Sequence, residues 1–374
     1  MEHVQQGTGF FPPGRVRSVA AATGEAGLDA LLLTPGPDLR YVTGYNAHES
    51  ERLTCLVIPA DSDPVLVVPR LEMRGAQASL SAAVAAEIVG WDETDDPYAL
   101  VGRLVGTAAV VGLSDRMWAL HVLRLRTALP NARQELASVA LRHLRARKSA
   151  EEVAALRAAA EAIDRVHAQV PGWLRPGRTE AEVAADIGKA ILAEGHATVD
   201  FTIVGSGPNG ASPHHTASER VLQSGDTVVV DIGGTMPTGY CSDCTRTYAI
   251  GAPAAEVAEY YAVLKHAQEE ACAAVRPGVA AEAVDAAART PISAAGYGDY
   301  FVHRTGHGIG LETHEDPYIV AGNTEVLQPG HAFSVEPGIY PGPSGARIED
   351  IVVCTPEGCD RLNQVSRELI VVPA

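Results

Sequence analysis

Positive charge is scarce in this chain: 29 Lys and Arg stand against 46 Asp and Glu, for a net charge of −17. Nucleic acid and anionic membrane surfaces both reward basic patches, so neither is an expected partner. Long apolar runs are missing too. No stretch of about 18 uninterrupted apolar residues occurs, so no segment is expected to span a membrane. The opening MEHVQQGTGFFPPG has neither a basic n-region nor an apolar core, and no signal peptide is read there. Cysteine is sparse: six residues without regular spacing fit a reducing cytoplasm, not a disulfide framework. Cys241 and Cys244 form a CxxC, and Cys354 and Cys359 form a second pair. Residues three apart on a strand face opposite ways, so buried free thiols are expected here and a zinc–cysteine site is not.

What is present divides in two, since 374 residues suffice for two domains with sizeable cores. Residues 1–144 read as a separate α/β unit. A helical pattern over Arg15 to Gly27 precedes a short buried strand, Asp29 to Leu33, and strands follow at Leu53 to Ile58, Val65 to Val68 and Ala109 to Gly112. A helix is expected across Arg116 to Leu129, and strands alternating with helices imply a mixed sheet. No phosphate-cradling glycine motif occurs in this part. Tyr41, Tyr45, His48 and Glu51 are its only candidates for the edge of a site. A basic joint at 141–148 leads to two capping boxes, Ser149-Ala-Glu-Glu152 and Thr179-Glu-Ala-Glu182, each opening a helix.

The second part, 145–374, contains the organising stretch. Gly225-Asp226-Thr-Val-Val-Val-Asp231 continues through a turn cluster into Tyr240 to Ile250 and reads as a hairpin. Asp231 ends a valine run and Asp243 sits among strand formers. Both carboxylates should face inward, where desolvation costs several kcal/mol without a partner. The pattern recurs. Leu222-Gln-Ser-Gly225 before DTVVVDIGG resembles Leu327-Gln-Pro-Gly330 before HAFSVEPGI at an offset of 105 (327 − 222), which carries Asp231 onto Glu336. Asp243 is matched roughly by Glu349. Upstream, the two RPG segments repeat at an offset of 101 (276 − 175). Two related halves would gather four acids around one point, and that point calls for metal.

Between the acidic strands lies His303-Arg-Thr-Gly-His307-Gly-Ile-Gly310-Leu-Glu-Thr-His314. Its glycines permit close backbone approach and positive φ. A single histidine of this kind is more often structural than ligating, but beside four strand-borne acids in a duplicated frame it gains weight. His307, flanked by glycines, is the best ligand, with His303 and His314 beside it. The expected metal set is Asp231, Asp243, His307, Glu336 and Glu349. Four carboxylates exceed what one divalent ion neutralises, so two ions are expected. Oxygen-dominated ligation with one imidazole favours Mn²⁺, with Co²⁺, Fe²⁺ or Zn²⁺ able to substitute. Water held between two such ions loses a proton near neutral pH, which makes hydrolysis of a carbonyl compound the expected reaction.

DIGG, GYCSDCTRT, HRTGHGIGLETHE, SVEPGIY and RIED together resemble the pita-bread metallopeptidases, specifically the Xaa-Pro peptidases, prolidase and aminopeptidase P. The likeness covers residues 150–374, and the LLLTPGPDLRYVTGY stretch extends it forward. It implies an α/β (α+β) protein, with a creatinase-like α/β domain over 1–144 and a pseudo-twofold pita-bread catalytic domain over 145–374. It also implies cleavage of the Xaa-Pro bond, a proline-containing peptide substrate and a homodimer. The five ligands above match the family's metal set. His214, His303 and His314 match its substrate and transition-state histidines, and Tyr340 and Arg347 match positions beside the site. Glu336 is the expected proton shuttle. The interval from Asp231 to Asp243 is 12 residues (243 − 231), one longer than in many relatives. Both acids keep one face only if the extra residue falls in the turn at Met236-Pro237 or in a bulge.

Methionine aminopeptidase is similar in the metal half but has no comparable first domain, and creatinase lacks the acidic set. A non-catalytic peptide-binding protein on this fold is disfavoured by retention of all five ligands. The short chain leans toward dipeptides, with aminopeptidase P action on longer peptides as the alternative.

Overall fold

The computed structural model describes residues 14–80 and 86–374. The segment 1–13, read above for a leader, lies outside the described residues. The chain separates into two compact units, Met1–Arg145 and Ala146–Ala374. No helix among the described residues is long and apolar enough to cross a membrane.

The first unit is a six-stranded mixed sheet of β1 (Ala30–Leu33), β2 (Cys55–Pro59), β3 (Val65–Pro69), β4 (Glu87–Trp91), β5 (Val110–Leu113) and β6 (Arg133–Leu136). Their order is β4-β3-β2-β1-β5-β6. The helices are α1 (Arg15–Glu25), α2 (Pro37–Thr43), α3 (Met73–Ser79), α4 (Pro97–Val105), α5 (Ala119–Ala128) and α6 (Ser138–Ala146). All four residues of β1 are buried, as a central strand covered on both faces requires. Tyr41 to Thr43, which shows no helical period, is the last turn of α2, started by Pro37 and closed by Gly44 at φ 79°. The edge strands β4 and β6 left no apolar run because their side chains are mostly half-exposed or exposed.

The second unit opens with α7 (Ala150–His167) and α8 (Glu180–Ala193), each started by the capping box its sequence predicts. Next come β7 (Thr198–Ser206), β8 (Thr227–Thr235) and β9 (Cys241–Ile250). The second half supplies α9 (Ala255–Ala274), α10 (Ala281–Ala294), β10 (Gly306–Gly308), β11 (Glu315–Ile319), β12 (Ala332–Val335), β13 (Gly338–Ile339), β14 (Ala346–Arg347), β15 (Asp350–Thr355), β16 (Gly358–Arg361) and β17 (Ile370–Val372). Two larger sheets result, β17-β9-β8-β7 and β11-β10-β12-β15-β16, and β13 pairs with β14. The last two strands do not pair with each other: β16 joins β15, while β17 runs parallel to β9 in the first-half sheet.

The duplication is visible in backbone and core alike. Helices α8 and α10 are both 14 residues long. The bridge Thr179↔Val221 recurs as Ala280↔Val326, at the two offsets read from sequence. Val183, Ile187 and Ile191 pack with Val228 and Val230 in one core. Their counterparts Val284, Ala288 and Ile292 pack with Phe333 and Val335 in the other.

Strand register corrects one part of the sequence alignment. In the first hairpin Asp231 pairs with Thr245, and Gly233 with Asp243. In the second, Val335 pairs with Asp350 and Gly338 with Arg347, a register that carries Glu336 opposite Glu349. Glu349 is therefore the counterpart of Thr245, and Arg347 that of Asp243. The second hairpin is one residue shorter than the first, and the acid that local similarity matches to Asp243 stands two residues past its counterpart in register.

Candidate metal centre

Side chains on alternate residues of a strand share a face, and antiparallel pairing brings diagonal neighbours together. Asp231 faces Thr245 and Asp243 lies two residues away, so both acids project from one side of β8 and β9. The longer interval between them is absorbed in the turn. There the Met236 N–H donates to the Tyr240 carbonyl (2.9 Å) and the Gly239 N–H to the Met236 carbonyl (2.7 Å). Glu336 follows β12 directly and Glu349 precedes β15. His307 is the middle residue of β10.

His307 is brought in by its glycines, through closeness of approach. A Cβ on Gly306 would lie 1.8 Å from the Ser334 carbonyl oxygen, and one on Gly308 would lie 2.1 Å from that of Asp316. Positive φ plays no part at Gly306, Gly308 or Gly310, contrary to part of the sequence reading. The His307 ring is oriented by its Nδ1 against the Gly308 carbonyl (3.1 Å). Its Nε2 points at carboxylates, Glu336 Oε1 at 3.1 Å and Asp243 Oδ2 at 3.7 Å.

Asp243, His307 and Glu349 each offer a donor atom, and these atoms lie within 4.8 Å of one another in a buried cluster. Burial, and then the charges of Glu349, Asp231 and Glu336, push the Asp243 carboxyl well above the usual carboxylate range against the pull of Arg347. Burial and the charges of Glu336 and Asp231 do the same to Glu349. At Glu336 burial also acts upward, but the His307 hydrogen bond and nearby cationic groups outweigh it and hold the carboxyl at about 2. Asp231 Oδ2 accepts from Arg347 Nη2 at 2.6 Å, while its buried Oδ1 has no hydrogen-bond partner. Mutually repelling buried acids, an imidazole nitrogen aimed among them and an orphaned carboxylate oxygen together suit cationic ligation. The donor set fits divalent metal.

The other sequence candidates surround this cluster. Arg347, almost fully buried, donates from Nε to Thr245 Oγ1 (3.0 Å), from Nη1 to Tyr340 Oη (2.7 Å) and from Nη2 to Asp231 and the Pro213 carbonyl. Tyr340 Oη lies 3.0 Å from His303 Nε2, and His303 Nδ1 lies 2.7 Å from the Arg304 carbonyl. Both His303 ring nitrogens are thus engaged by protein. Burial pushes the Tyr340 hydroxyl up to about 12, so it stays protonated and can donate to His303. His314 is exposed and packs edge-on against His307 at 4.1 Å between ring centroids. Desolvation of the part of its ring that packs on the site, then the positive potential of His307 and Arg304, brings its pKa down to about 4. His214 is exposed in the loop after β7. In the first unit, Tyr41 and Tyr45 are buried, whereas His48 and Glu51 are exposed.

Three residues absent from the sequence reading complete the arrangement. Thr245 donates to Glu349 Oε2 (2.8 Å) and accepts from Arg347, tying together the two halves. Ser334 accepts the His307 N–H and donates to Glu336 Oε1, each at 3.0 Å. Its place two residues before Glu336, on the same strand face, was the available signal. Glu180, at the start of α8, accepts from Ser206, Asn209, His215 and Ser218, at 2.6–3.1 Å. That acceptor set pins the loop carrying Pro213 and His214.

Known proteins resemble the chain along most of its length. The model of metallopeptidase family M24 matches residues 154–356, and that of the creatinase/prolidase N-terminal domain matches 15–147. The probable dipeptidase PepE of Mycobacterium tuberculosis is 56% identical over 361 residues, covering 96% of each chain. The Xaa-Pro dipeptidase of Lactobacillus delbrueckii subsp. lactis is 36% identical over 362 residues, covering 93% of this chain and 96% of its own. The crystal structure of dipeptidase PepE from Mycobacterium ulcerans matches with a TM-score of 0.92 at 55% identity, over 96% of this chain and 97% of its own. The two family models between them match both units, and the chain belongs to metallopeptidase family M24.

Proposed function

We propose that this protein hydrolyses the peptide bond before proline in Xaa-Pro dipeptides, with two divalent cations, Mn²⁺ foremost, held by Asp231, Asp243, His307, Glu336 and Glu349. The observation that carries the reading is the buried convergence of Asp243, His307 and Glu349 within 4.8 Å, beside an Asp231 oxygen that lacks a partner. Relatives named dipeptidase and Xaa-Pro dipeptidase support the choice of substrate. When bound, the cations supply Lewis acidity, lowering the pKa of water and balancing negative charge on the scissile carbonyl oxygen.

The chain's own groups divide the remaining work. Glu336 is ionised at neutral pH, and Ser334 fixes its Oε1. It takes the proton from water and returns it to the prolyl nitrogen, which leaves as a secondary amine. His314 is neutral at that pH and exposed, so its ring N–H can hydrogen-bond the substrate carbonyl as charge develops. His214 stands ready for the leaving side. Arg347 acts on the protein: three of its partners, Asp231, Thr245 and Tyr340, belong to the site wall. Through Tyr340 it also orients His303. A tertiary prolyl amide has no N–H to be recognised, so shape and the two substrate termini must supply selectivity.

A homodimer and a cytoplasmic location are part of the same reading, the latter supported by six unpaired cysteines. The test is a hydrolysis panel with Mn²⁺ present, setting Xaa-Pro dipeptides against Xaa-Pro-Yaa tripeptides and longer peptides. Dipeptide cleavage that is lost on chelation and restored by Mn²⁺ is expected. Faster cleavage of tripeptides would reassign the protein as an Xaa-Pro aminopeptidase. No turnover in metal-loaded protein would make it a binding protein.

A further inference from the structure

Residues 301–305 carry His303 and run into β10, but they belong to no helix or strand. Their carbonyls and N–H groups therefore need partners from elsewhere. Two side chains of α10 supply several of them. Asp285 and Arg289 stand one turn apart on one face of the helix and form an ion pair, Arg289 Nε to Asp285 Oδ2 and Nη2 to Oδ1, each at 3.0 Å. Arg289 also donates from Nη1 to the Phe301 carbonyl (3.0 Å) and from Nη2 to the His303 carbonyl (2.9 Å). Its guanidinium lies 4.1 Å above the Phe301 ring. Asp285, only 1% exposed, accepts on Oδ1 from the Thr305 hydroxyl (2.7 Å) and from the Thr305 N–H (3.2 Å). The Thr305 carbonyl in turn accepts the Glu336 N–H at 2.7 Å. A path of hydrogen bonds thus runs from α10 through Thr305 to the backbone of Glu336.

We propose that Asp285 and Arg289 are positioning residues that set the place of Glu336 through Thr305, a role that rests on the reading of Glu336 as proton shuttle. Buried ion pairs often do no more than satisfy each other. This one reaches further, for four of its hydrogen bonds fall on Phe301, His303 and Thr305 of a single irregular segment. Phe301, Val335 and the α10 residues Val284, Ala288 and Ile292 share one core, so helix and segment stand on the same foundation. The first half has no such pair. At the offset of 101, Asp285 falls on Ala184 (285 − 101) and Arg289 on Gly188 (289 − 101). The acids differ in the same way. Asp231 and Asp243 lie inside the continuous strands β8 and β9, whereas Glu336 lies between β12 and β13 and is left to an outside hold. Displacing a reacting group by about 1 Å can cost on the order of a hundredfold in rate, so such a hold matters to turnover.

The experiment compares Arg289→Ala, Thr305→Val and Thr305→Ser with wild type in the full chain. Thr305→Val removes the hydroxyl that reaches Asp285, and Thr305→Ser keeps it. In Mn²⁺-loaded protein the first two should lower kcat on Ala-Pro by roughly ten- to a hundredfold, with KM changed less than about threefold, because the pair holds the shuttle and not the substrate. Thr305→Ser should recover most of the rate lost in Thr305→Val. In metal-free protein, amide hydrogen exchange should quicken over 301–307 and at Glu336 in both slow variants, and should match wild type over 206–218. An unchanged kcat, a loss carried by KM alone, a serine variant as slow as the valine one, or exchange that is unaltered at Glu336 or raised throughout the catalytic unit would each overturn the assignment. If wild-type protein does not cleave the dipeptide, the hydrolytic reading falls by itself, and the exchange comparison still decides whether the pair holds Glu336. Should Arg289→Ala fail to fold, Thr305→Val carries both readouts.

Discussion

The two halves of the catalytic unit share a frame and differ in finish. The first hairpin is built of unbroken strands of 9 and 10 residues. The second is divided into β12, β13, β14 and β15, the longest of six residues. Pro337 and Pro341 account for the breaks, since neither can donate to a ladder. In the same register the first half places Thr245 where the second places Glu349, and Asp243 where the second places Arg347. Duplication has preserved helix lengths, turns and core positions while the polar positions at the junction diverged. Two carboxylates from each half, one arginine and one threonine are what an unequal pair can bring together. Strict symmetry would bring like groups into opposition.

The sharpest way to break the comparison is to remove a ligand from either side. Asp243→Ala and His307→Ala should each lower kcat/KM by about a thousandfold or more and reduce bound metal, read by turnover and elemental analysis. Asp243→Asn has a further signature. The folded-state pKa of Asp243 lies above its unfolded value, so in metal-free protein this group favours the fold at low pH. That contribution is lost as pH rises through the elevated pKa. The metal-free Asn variant should therefore melt above metal-free wild type at neutral pH, and the order should reverse when Mn²⁺ is added.

A milder test targets the junction. Thr245→Val leaves a Glu349 oxygen and the Arg347 Nε without their shared hydroxyl, a loss of about 1–3 kcal/mol. Turnover should fall roughly ten- to a hundredfold on the same scale, with metal content retained.

Glu180 has only Ala281 as its second-half counterpart. Burial raises the Glu180 pKa, but hydrogen bonds from Ser206, Ser218 and His215 more than reverse this and hold it at about 2. Its contribution is complete above the ordinary glutamate value and disappears as pH falls through about 2. Glu180→Gln should lower stability by about 1–3 kcal/mol at neutral pH. It should also flatten the acid-unfolding curve below pH 4.5 and speed hydrogen exchange over residues 206–218.

The smallest effect concerns helix starts. Thr179 caps α8 through its side chain, whereas Ala280 starts α10 with no such bond despite a similar extended backbone. Thr179→Ala should cost about 1 kcal/mol and Ala280→Thr should return a comparable amount, as thermal or urea unfolding would measure.

Much of this was legible in the chain because it depends on local pattern. The capping boxes, the valine run ending at Asp231 and the repeated Leu-Gln-x-Gly before each hairpin mark their structures without help from distant residues. What escaped depends on pairing. Thr245 looks like any strand threonine until register sets it against Glu349. Glu180 looks like a first-turn helix acid until the loop from 206 to 218 folds back over it. Sequence likeness equated Asp243 with Glu349 because both are acids near the same motif distance. Hydrogen-bond register, which a single chain does not display, made the equivalence Thr245 with Glu349.

One feature of the sheet order bears on how the protein is made. The outer side of β9 is covered by β17, which lies more than a hundred residues later in the chain. Arg246 of β9 grips the approach to that strand through the Val365 and Ser366 carbonyls. During vectorial synthesis, then, the ladder that presents Asp243 keeps an open edge until nearly all of the second half has emerged from the ribosome. For that interval it is a template for any stray strand. A slow tract of codons or a shortage of chaperone should be felt there first.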